Sequence, residues 1–252
     1  MNITQTFYDN MASQYDKLFL DWHSTTREQA EILDRIFRDN GFDTSARILD
    51  CACGIGTQAI GLASLGYNVT GSDISDAELA EARSRAARDN LQISFKNADF
   101  CNLSESFSEP FDIIIAMDNA LPHMLTASDL QAAVRSITRQ LANGGMFVAS
   151  IRDYDELLKS KPPYSPPYIH KTDSGQRVSF QTWEWNDNRY RLIQYIIDDC
   201  GTPQVSRFEC EYRATRRDEL TDLLLSCGCR SVVWKFPEET GFYQPIIIAL
   251  TF

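Results

Sequence analysis

The strongest chemical signal in the chain is the run Ile48-Leu49-Asp50-Cys51-Ala52-Cys53-Gly54-Ile55-Gly56-Thr57. Small residues at 52, 54 and 56 let the backbone approach a ligand closely and adopt angles closed to larger side chains. An apolar run precedes this stretch and a helical pattern follows it. Backbone N–H groups and the positive end of a helix therefore face a nucleotide-like ligand. Asp73 ends the next apolar segment, 23 residues after Asp50. A carboxylate there can accept two hydrogen bonds from a ribose diol. Asp99 follows the third segment, where it can accept from an adenine amino group, and Phe100 can flank the ring. Three acidic residues at three consecutive strand ends are more specific than any one of them.

The elements that must position these groups follow from periodicity. Ser24 can cap a helix running to about Asn40, with Ile32, Leu33, Ile36 and Phe37 as its stripe and Gly41 as its stop. Strands are expected at Arg47–Cys51, Tyr67–Ser72, Leu91–Asn97, Phe111–Met117 and Met146–Ile151, the last entered through Asn143-Gly144-Gly145. Helices at Thr57–Leu65, Ser75–Asp89 and Ser128–Leu141 alternate with them. The central run FDIIIAM is apolar throughout, as a strand covered on both faces must be. Such alternation indicates an α/β, doubly wound and mostly parallel sheet. After Asp153 the pattern changes. Lys161–Tyr168 (KPPYSPPY) is a Pro-rich loop, and Arg177–Trp185, Tyr190–Asp198 and Arg207–Ala214 read as strands of a β-rich insertion. A helix at Arg217–Ser226 and strands at Ser231–Phe236 and Gln244–Phe252 follow. The short link between those two strands lacks a helical pattern and implies a terminal antiparallel hairpin.

Composition narrows the partners. The chain has 252 residues, 24 Lys and Arg against 35 Asp and Glu, and a net charge of −11. Overall charge thus opposes nucleic-acid binding and binding as a polybasic membrane protein. Arg213, Arg216 and Arg217 lie beside Asp218 and Glu219 and read as a solvated face. The N-terminus lacks the pattern of a signal peptide, and the longest apolar run, Ile246–Leu250, is too short to span a bilayer. Seven scattered cysteines read as reduced thiols in a cytoplasmic protein. The Cys51-x-Cys53 and Cys227-x-Cys229 spacings are wrong for a usual zinc site, so no metal is expected.

DCACGIGT, Asp73 and Ala98-Asp99-Phe100 resemble successive motifs of the class I S-adenosylmethionine-dependent methyltransferases. The resemblance covers nearly the whole chain, and the terminal hairpin is similar to that fold's antiparallel last strand. Ala52 stands where the family often has glycine, a departure shared by the glycine N-methyltransferase subgroup. FDIIIAMDNALPH, with Asn119 and His123, and Ile151-Arg152-Asp153-Tyr154-Asp155 are similar to that subgroup's sequences after its fourth and fifth strands. The resemblance implies a seven-stranded Rossmann-like domain from 43–153 and 214–252. It also implies a segment at 1–42 covering the cofactor and an inserted substrate or oligomer subdomain at 154–213. It implies S-adenosyl-L-methionine, with S-adenosyl-L-homocysteine as product, held by Trp22, Arg27, Asp50, Ala52, Cys53, Gly54, Gly56, Asp73, Ile74, Asp99, Phe100 and Met117. Asn119 and Arg152 become substrate residues. The acceptor implied is a small carboxylate-bearing amine such as glycine or sarcosine. Ala120 (serine in the subgroup) and Pro122 depart from its pattern.

Residue chemistry agrees with that assignment. A guanidinium at Arg152 suits a bidentate carboxylate clamp. The alternative is a salt bridge to Asp153 or Asp155. His123 can act as a base or orient its loop, the second being the commoner use of such a residue. Tyr8, Tyr15, Tyr154 and Tyr243 could line a pocket for a sulfonium or ammonium through cation–π contact, and Tyr15 lies in the segment expected to cover the site. A sulfonium methyl is already activated, so no obligatory Ser, Cys or metal is expected. Positioning by Asn119, Arg152, His123 and Tyr15 would carry the reaction. Three other readings remain open. Gly54-Ile55-Gly56-Thr57-Gln58-Ala59 fits the G-x-G-x-x-A of a nicotinamide-dependent oxidoreductase. The acceptor could be another small molecule. The fold could be a non-catalytic binding module. Trp183, Trp185, Tyr190 and Tyr195 could pack the insertion's own core or form a contact between copies of the chain.

Overall fold

The computed structural model describes residues 3–172 and 175–252. Its strands are β1 (Arg47–Asp50), β2 (Asn68–Asp73), β3 (Ser94–Asn97), β4 (Phe111–Ala116), β5 (Leu141–Ser150), β6 (Tyr168–Thr172), β7 (Gly175–Asn186), β8 (Arg189–Asp199), β9 (Gln204–Arg213), β10 (Cys229–Lys235) and β11 (Ile246–Thr251). Its helices are α1 (Ile3–Met11), α2 (Trp22–Asp39), α3 (Thr57–Ser64), α4 (Asp76–Arg88), α5 (Ala127–Gln140), α6 (Tyr154–Ser160), α7 (Arg217–Ser226) and the single turn α8 (Pro237–Thr240). One sheet has the order β3-β2-β1-β4-β5-β11-β10, and β6 to β9 form a second, antiparallel sheet. In the first sheet β1 to β5 are parallel, and β11 alone runs against its neighbours. This is the doubly wound class I methyltransferase architecture.

Side-chain alternation explains the layers. On β4, Ile113 and Ile115 join a core with Leu33, Phe37 and Leu62 from α2 and α3. Ile114 and Ala116 point the other way, toward Leu130, Val134 and Ile137 of α5 and Leu220 and Leu224 of α7. Both faces are covered, so the strand is apolar at every central position. Among the described residues no helix is long and apolar enough to cross a membrane.

The structure corrects several expected details. Asp21, not Ser24, caps α2: its side chain accepts from the N–H groups of His23 and Ser24. The N-terminal segment, weakly patterned in sequence, folds as α1 and a 3-10 turn over residues 12–18. β5 begins at Leu141, five residues before the expected Met146, and Asn143-Gly144-Gly145 is absorbed where the β4–β5 register shifts. The β10–β11 link contains α8, stabilised by the Glu239 side chain accepting from the Phe236 N–H. β6 was not expected, because Tyr168 and Ile169 are exposed and leave no buried face to read. Trp183 and Tyr190 are buried against Ile151, Tyr154 and Tyr212, so they serve the insertion's own core. Trp185 donates to the Pro162 carbonyl, and Tyr195 stacks on Phe180.

α2 and α3 pack closely together on one face of the first sheet. A Cβ at Gly61 on α3 would stand 2.6 Å from the Thr26 carbonyl oxygen and 2.8 Å from the Ala30 Cβ on α2. Gly61→Ala gains about 1 kcal/mol of helix propensity, but backbone must move to admit the methyl. A net loss of about 1–2 kcal/mol is expected, seen as a lower urea midpoint with an unchanged slope.

Candidate active site

β1 and β4 lie side by side, and their chains leave the sheet toward opposite faces. The cleft opens at that divergence. After β1 the chain turns through Gly54 (φ +52°) and Gly56 (φ +92°) into α3. Both angles suit glycine, and a Cβ on Gly54 would meet the Glu78 Oε2 at 2.7 Å. Asp73 fixes the turn from β2: one oxygen accepts from the Gly54 N–H and the other from the Ser75 N–H, each at 2.9 Å. Asp50 is fully buried, and burial pushes its carboxyl well above the usual carboxylate range. It lies below the turn, with the Ala52 N–H pointing at it, 3.4 Å away.

A first chamber of about 620 Å³ lies against this turn. Ala52, Cys53 and Gly54 line it from the β1 turn, Asp73 and Ile74 from the β2 end, and Asp99 and Phe100 from the β3 end. Met117 and His123 line it from the β4 side. A second chamber, about 900 Å³, extends toward the insertion and contains Asn119 and Arg152. Tyr8, Tyr15 and Asp118 line both chambers and mark their junction. Four residues expected to hold the cofactor line neither. Asp50 and Gly56 shape the turn. Trp22 is buried, donates to the Thr57 hydroxyl at 3.1 Å, and carries the Arg85 guanidinium over its ring. Arg27 is exposed on α2. Neither Trp22 nor Arg27 lines a chamber, although Thr25, Glu28 and Gln29 from the same turns of α2 line the second.

Arg152 follows β5 and is flanked by aromatic rings. Its guanidinium carbon lies 4.9 Å from the Trp183 ring centre and 5.6 Å from that of Tyr212. It donates to the Tyr190 hydroxyl and to the Gln181 Oε1, both at 2.9 Å. The salt bridge to Asp153 or Asp155 weighed from sequence is not formed, since Arg217 binds both carboxylates. Asn119 is buried in a left-handed conformation (φ +71°) and accepts from the Arg152 N–H and the Tyr154 hydroxyl. Tyr154 is therefore a buried support rather than a wall. Tyr243 lines the second chamber. His123 lies 2.8 Å from the Tyr8 hydroxyl and 4.1 Å, ring to ring, from Tyr212.

The N-terminal segment bridges the two sheets. Phe7 and Met11 bury against the insertion. Asp9 accepts from the Ser75 hydroxyl at 2.6 Å, and Asp16 meets Arg85 at 3.1 Å. Lys17 meets Asp198 at 2.5 Å on the insertion.

Two lining acids were not foreseen. Ser75-x-x-Glu78 looks like a capping box, which would tie Glu78 back to the Ser75 N–H. Asp73 takes that N–H instead, so the Glu78 carboxylate is left buried at the chamber wall without a hydrogen-bond partner among the described residues. Asp118 precedes Asn119 in the unusual turn after β4, and its signal was the Asp-Asn pair, which tolerates left-handed angles. With Asp73, Asp99 and Asp129, these make the first chamber acidic, and neither Lys nor Arg lines it. A pyrophosphate would be repelled there, and the Gly54 N–H it would need is bound to Asp73. The dinucleotide alternative is thus disfavoured, while a cationic nucleoside fits. Among the described residues no cluster of three His, Cys, Asp or Glu could hold a metal.

Comparison with known proteins agrees with the geometry. Residues 48–145 match a family described as a methyltransferase domain. The glycine/sarcosine N-methyltransferase of Aphanothece halophytica is 25% identical over 238 residues, covering 94% of this chain and 85% of that protein. An S-adenosylmethionine-dependent methyltransferase structure from Clostridium acetobutylicum superposes with a TM-score of 0.74 at 19% identity, covering 96% of this chain and 97% of that one. The S-adenosylmethionine-bound amino pentose methyltransferase of Micromonospora echinaspora gives 0.73 at 18%, covering 90% and 92%. Residues 48–145 therefore form a methyltransferase domain, and the chain has the class I S-adenosylmethionine-dependent methyltransferase fold.

Proposed function

We propose that the enzyme methylates the amine nitrogen of a small carboxylate-bearing molecule such as glycine or sarcosine. The observation that carries this reading is Arg152 in the second chamber. Two of its five N–H donors have partners in Tyr190 and Gln181, and the rest remain for a carboxylate. The curated relative named for glycine and sarcosine supports the same acceptor class.

When bound, S-adenosylmethionine supplies an activated sulfonium methyl group. The first chamber fits it: about 620 Å³ lies within the roughly 300–1,000 Å³ typical of small-ligand sites. The Asp73 carboxylate would take the ribose diol, Asp99 the adenine amino group and Phe100 the ring. The unpartnered Glu78 carboxylate suits a positively charged ligand. Tyr8 and Tyr15 would exclude water at the junction and offer ring faces to the cation. Alignment of bound reactants can contribute roughly 7–11 kcal/mol, so the chain need not supply a nucleophile. Arg152 beside the acceptor disfavours its ammonium form by like-charge repulsion.

His123 serves as a support for the loop. Burial, opposed by the Glu211 carbonyl and aided by Arg152, lowers its pKa to about 3. It therefore stays neutral through the working range and holds Tyr8 at the chamber wall.

One observation favours a bulkier acceptor. A second chamber of about 900 Å³ is much larger than glycine requires. An amino sugar acid or a longer amino acid would occupy it while keeping the clamp.

Three substitutions and an acceptor screen test these roles. Asp73→Ala should weaken S-adenosylhomocysteine binding at least about tenfold by calorimetry, as expected for lost hydrogen bonds to a charged group. Turnover should be screened with glycine, sarcosine, longer amino acids and amino sugars with and without a carboxylate. On the best acceptor, Arg152→Ala should raise KM about 10- to 100-fold and leave S-adenosylhomocysteine affinity unchanged. An unchanged KM overturns the clamp. For His123, the unfolded chain binds a proton below about pH 6.5 that the folded chain refuses until about pH 3. Its stabilising contribution is therefore complete above pH 6.5 and falls by up to about 1.4 kcal/mol per pH unit on acidification. His123→Gln should remove that slope in urea titrations compared between pH 7 and 5.

A further inference from the structure

Asp118 has no counterpart among the residues expected from the motifs, yet it occupies the meeting point of the two chambers. It opens the left-handed turn that follows β4, half-buried, at φ +55°. Two donors fix its carboxylate. The Gln58 Nε2 reaches Oδ2 at 2.8 Å, and the Tyr243 hydroxyl reaches Oδ1 at 2.8 Å. Gln58 is itself held by the Gln29 Oε1 at 2.6 Å. A carboxylate has about four acceptor positions, so two remain for a ligand at the junction.

Resting on the proposed acceptor class, we propose that Asp118 receives the acceptor's ammonium group and takes its proton before methyl transfer. A zwitterionic acceptor would then span the second chamber, its carboxylate toward Arg152 and its nitrogen toward Asp118 and the first chamber. The step balances. One N–H bond breaks, and its proton goes to an Asp118 carboxylate oxygen. The freed nitrogen lone pair forms the N–C bond to the methyl as the C–S pair returns to sulfur. Positive charge thereby moves from sulfur to nitrogen. The proton on Asp118 leaves to solvent when the products depart. Burial raises the carboxyl's proton affinity, against the lowering effects of Gln58 and Tyr243, which makes it a better base. The charged or titratable groups around it are Asp50 from the β1 end, Tyr15 from the N-terminal segment, Tyr243 before β11, and Arg152 in the same chamber.

The test uses Asp118→Asn in the full-length enzyme. Calorimetry should give S-adenosylhomocysteine affinity within threefold of wild type. In the presence of S-adenosylhomocysteine, binding of the best amine acceptor at pH 7 should weaken at least about tenfold. The kcat/KM for that amine should fall at least about 100-fold at pH 7, the scale of general-base catalysis. The deficit should shrink toward pH 9.5, as the free amine loses its proton unaided. A deficit constant across pH, kcat/KM within threefold of wild type, or lost S-adenosylhomocysteine binding overturns the assignment. Asp118→Gly suits the left-handed backbone and gives the same readouts should Asn prevent folding. Absence of amine methylation by the wild type overturns the acceptor class itself, and the Asp118 assignment with it. Amine methylation by the wild type with an unimpaired variant overturns Asp118 alone.

Discussion

The geometry of the site depends on one divergence. β1 and β4 are neighbours, but β1 hands its chain to α3 on one face and β4 hands its chain to α5 on the other. A gap must open at the carboxyl ends of the two strands, and each chain must turn sharply to leave it. At β1 the turn is made by Gly54 and Gly56. At β4 it is made by Asp118 and Asn119, polar residues that tolerate left-handed angles and bring functional groups with them. The first turn offers backbone to a ligand. The second offers side chains.

Charge is distributed to match. The first chamber gathers acidic side chains with no Lys or Arg among them, and the second has a guanidinium ringed by aromatic faces. The net charge of −11 is thus concentrated in part where a cation must bind. The aromatic setting of Arg152 also fixes its plane, since stacking and two directed hydrogen bonds leave it little freedom to collapse onto a carboxylate of the chain. Arg217 occupies Asp153 and Asp155, which removes the two acids closest in sequence to Arg152 from competition.

Much of the fold was legible because burial on both faces writes itself into β1, β4 and β5 as continuous apolar runs. The alternation of those runs with helical stripes specifies a doubly wound sheet. β6 was illegible for the opposite reason, since an exposed edge strand following prolines has no hydrophobic period. In the site, Asp73 and Asp99 were placed by their spacing at strand ends, and Asn119 and Arg152 by the resemblance; all four line one of the two chambers. Arg27, taken from the part of the resemblance without a strand end to anchor it, is exposed on α2 and lines neither chamber. Glu78 was hidden by a pattern that ordinarily means helix capping. Its release depends on Asp73 reaching the Ser75 N–H, a contact between two segments that no local pattern encodes.

The N-terminal segment is fastened on both sides of the cleft. Phe7 and Met11 are 5% and 2% exposed against the insertion, and burying such side chains contributes about 1.5–3 kcal/mol each. Toward the first sheet Tyr15 and Phe19 pack against Trp22, Ile55 and Ile60, Asp9 accepts from the Ser75 hydroxyl, and Asp16 meets Arg85. The segment is thus a strap tied at both ends. Uncovering either chamber costs contacts on both sides, so access to the two is coupled.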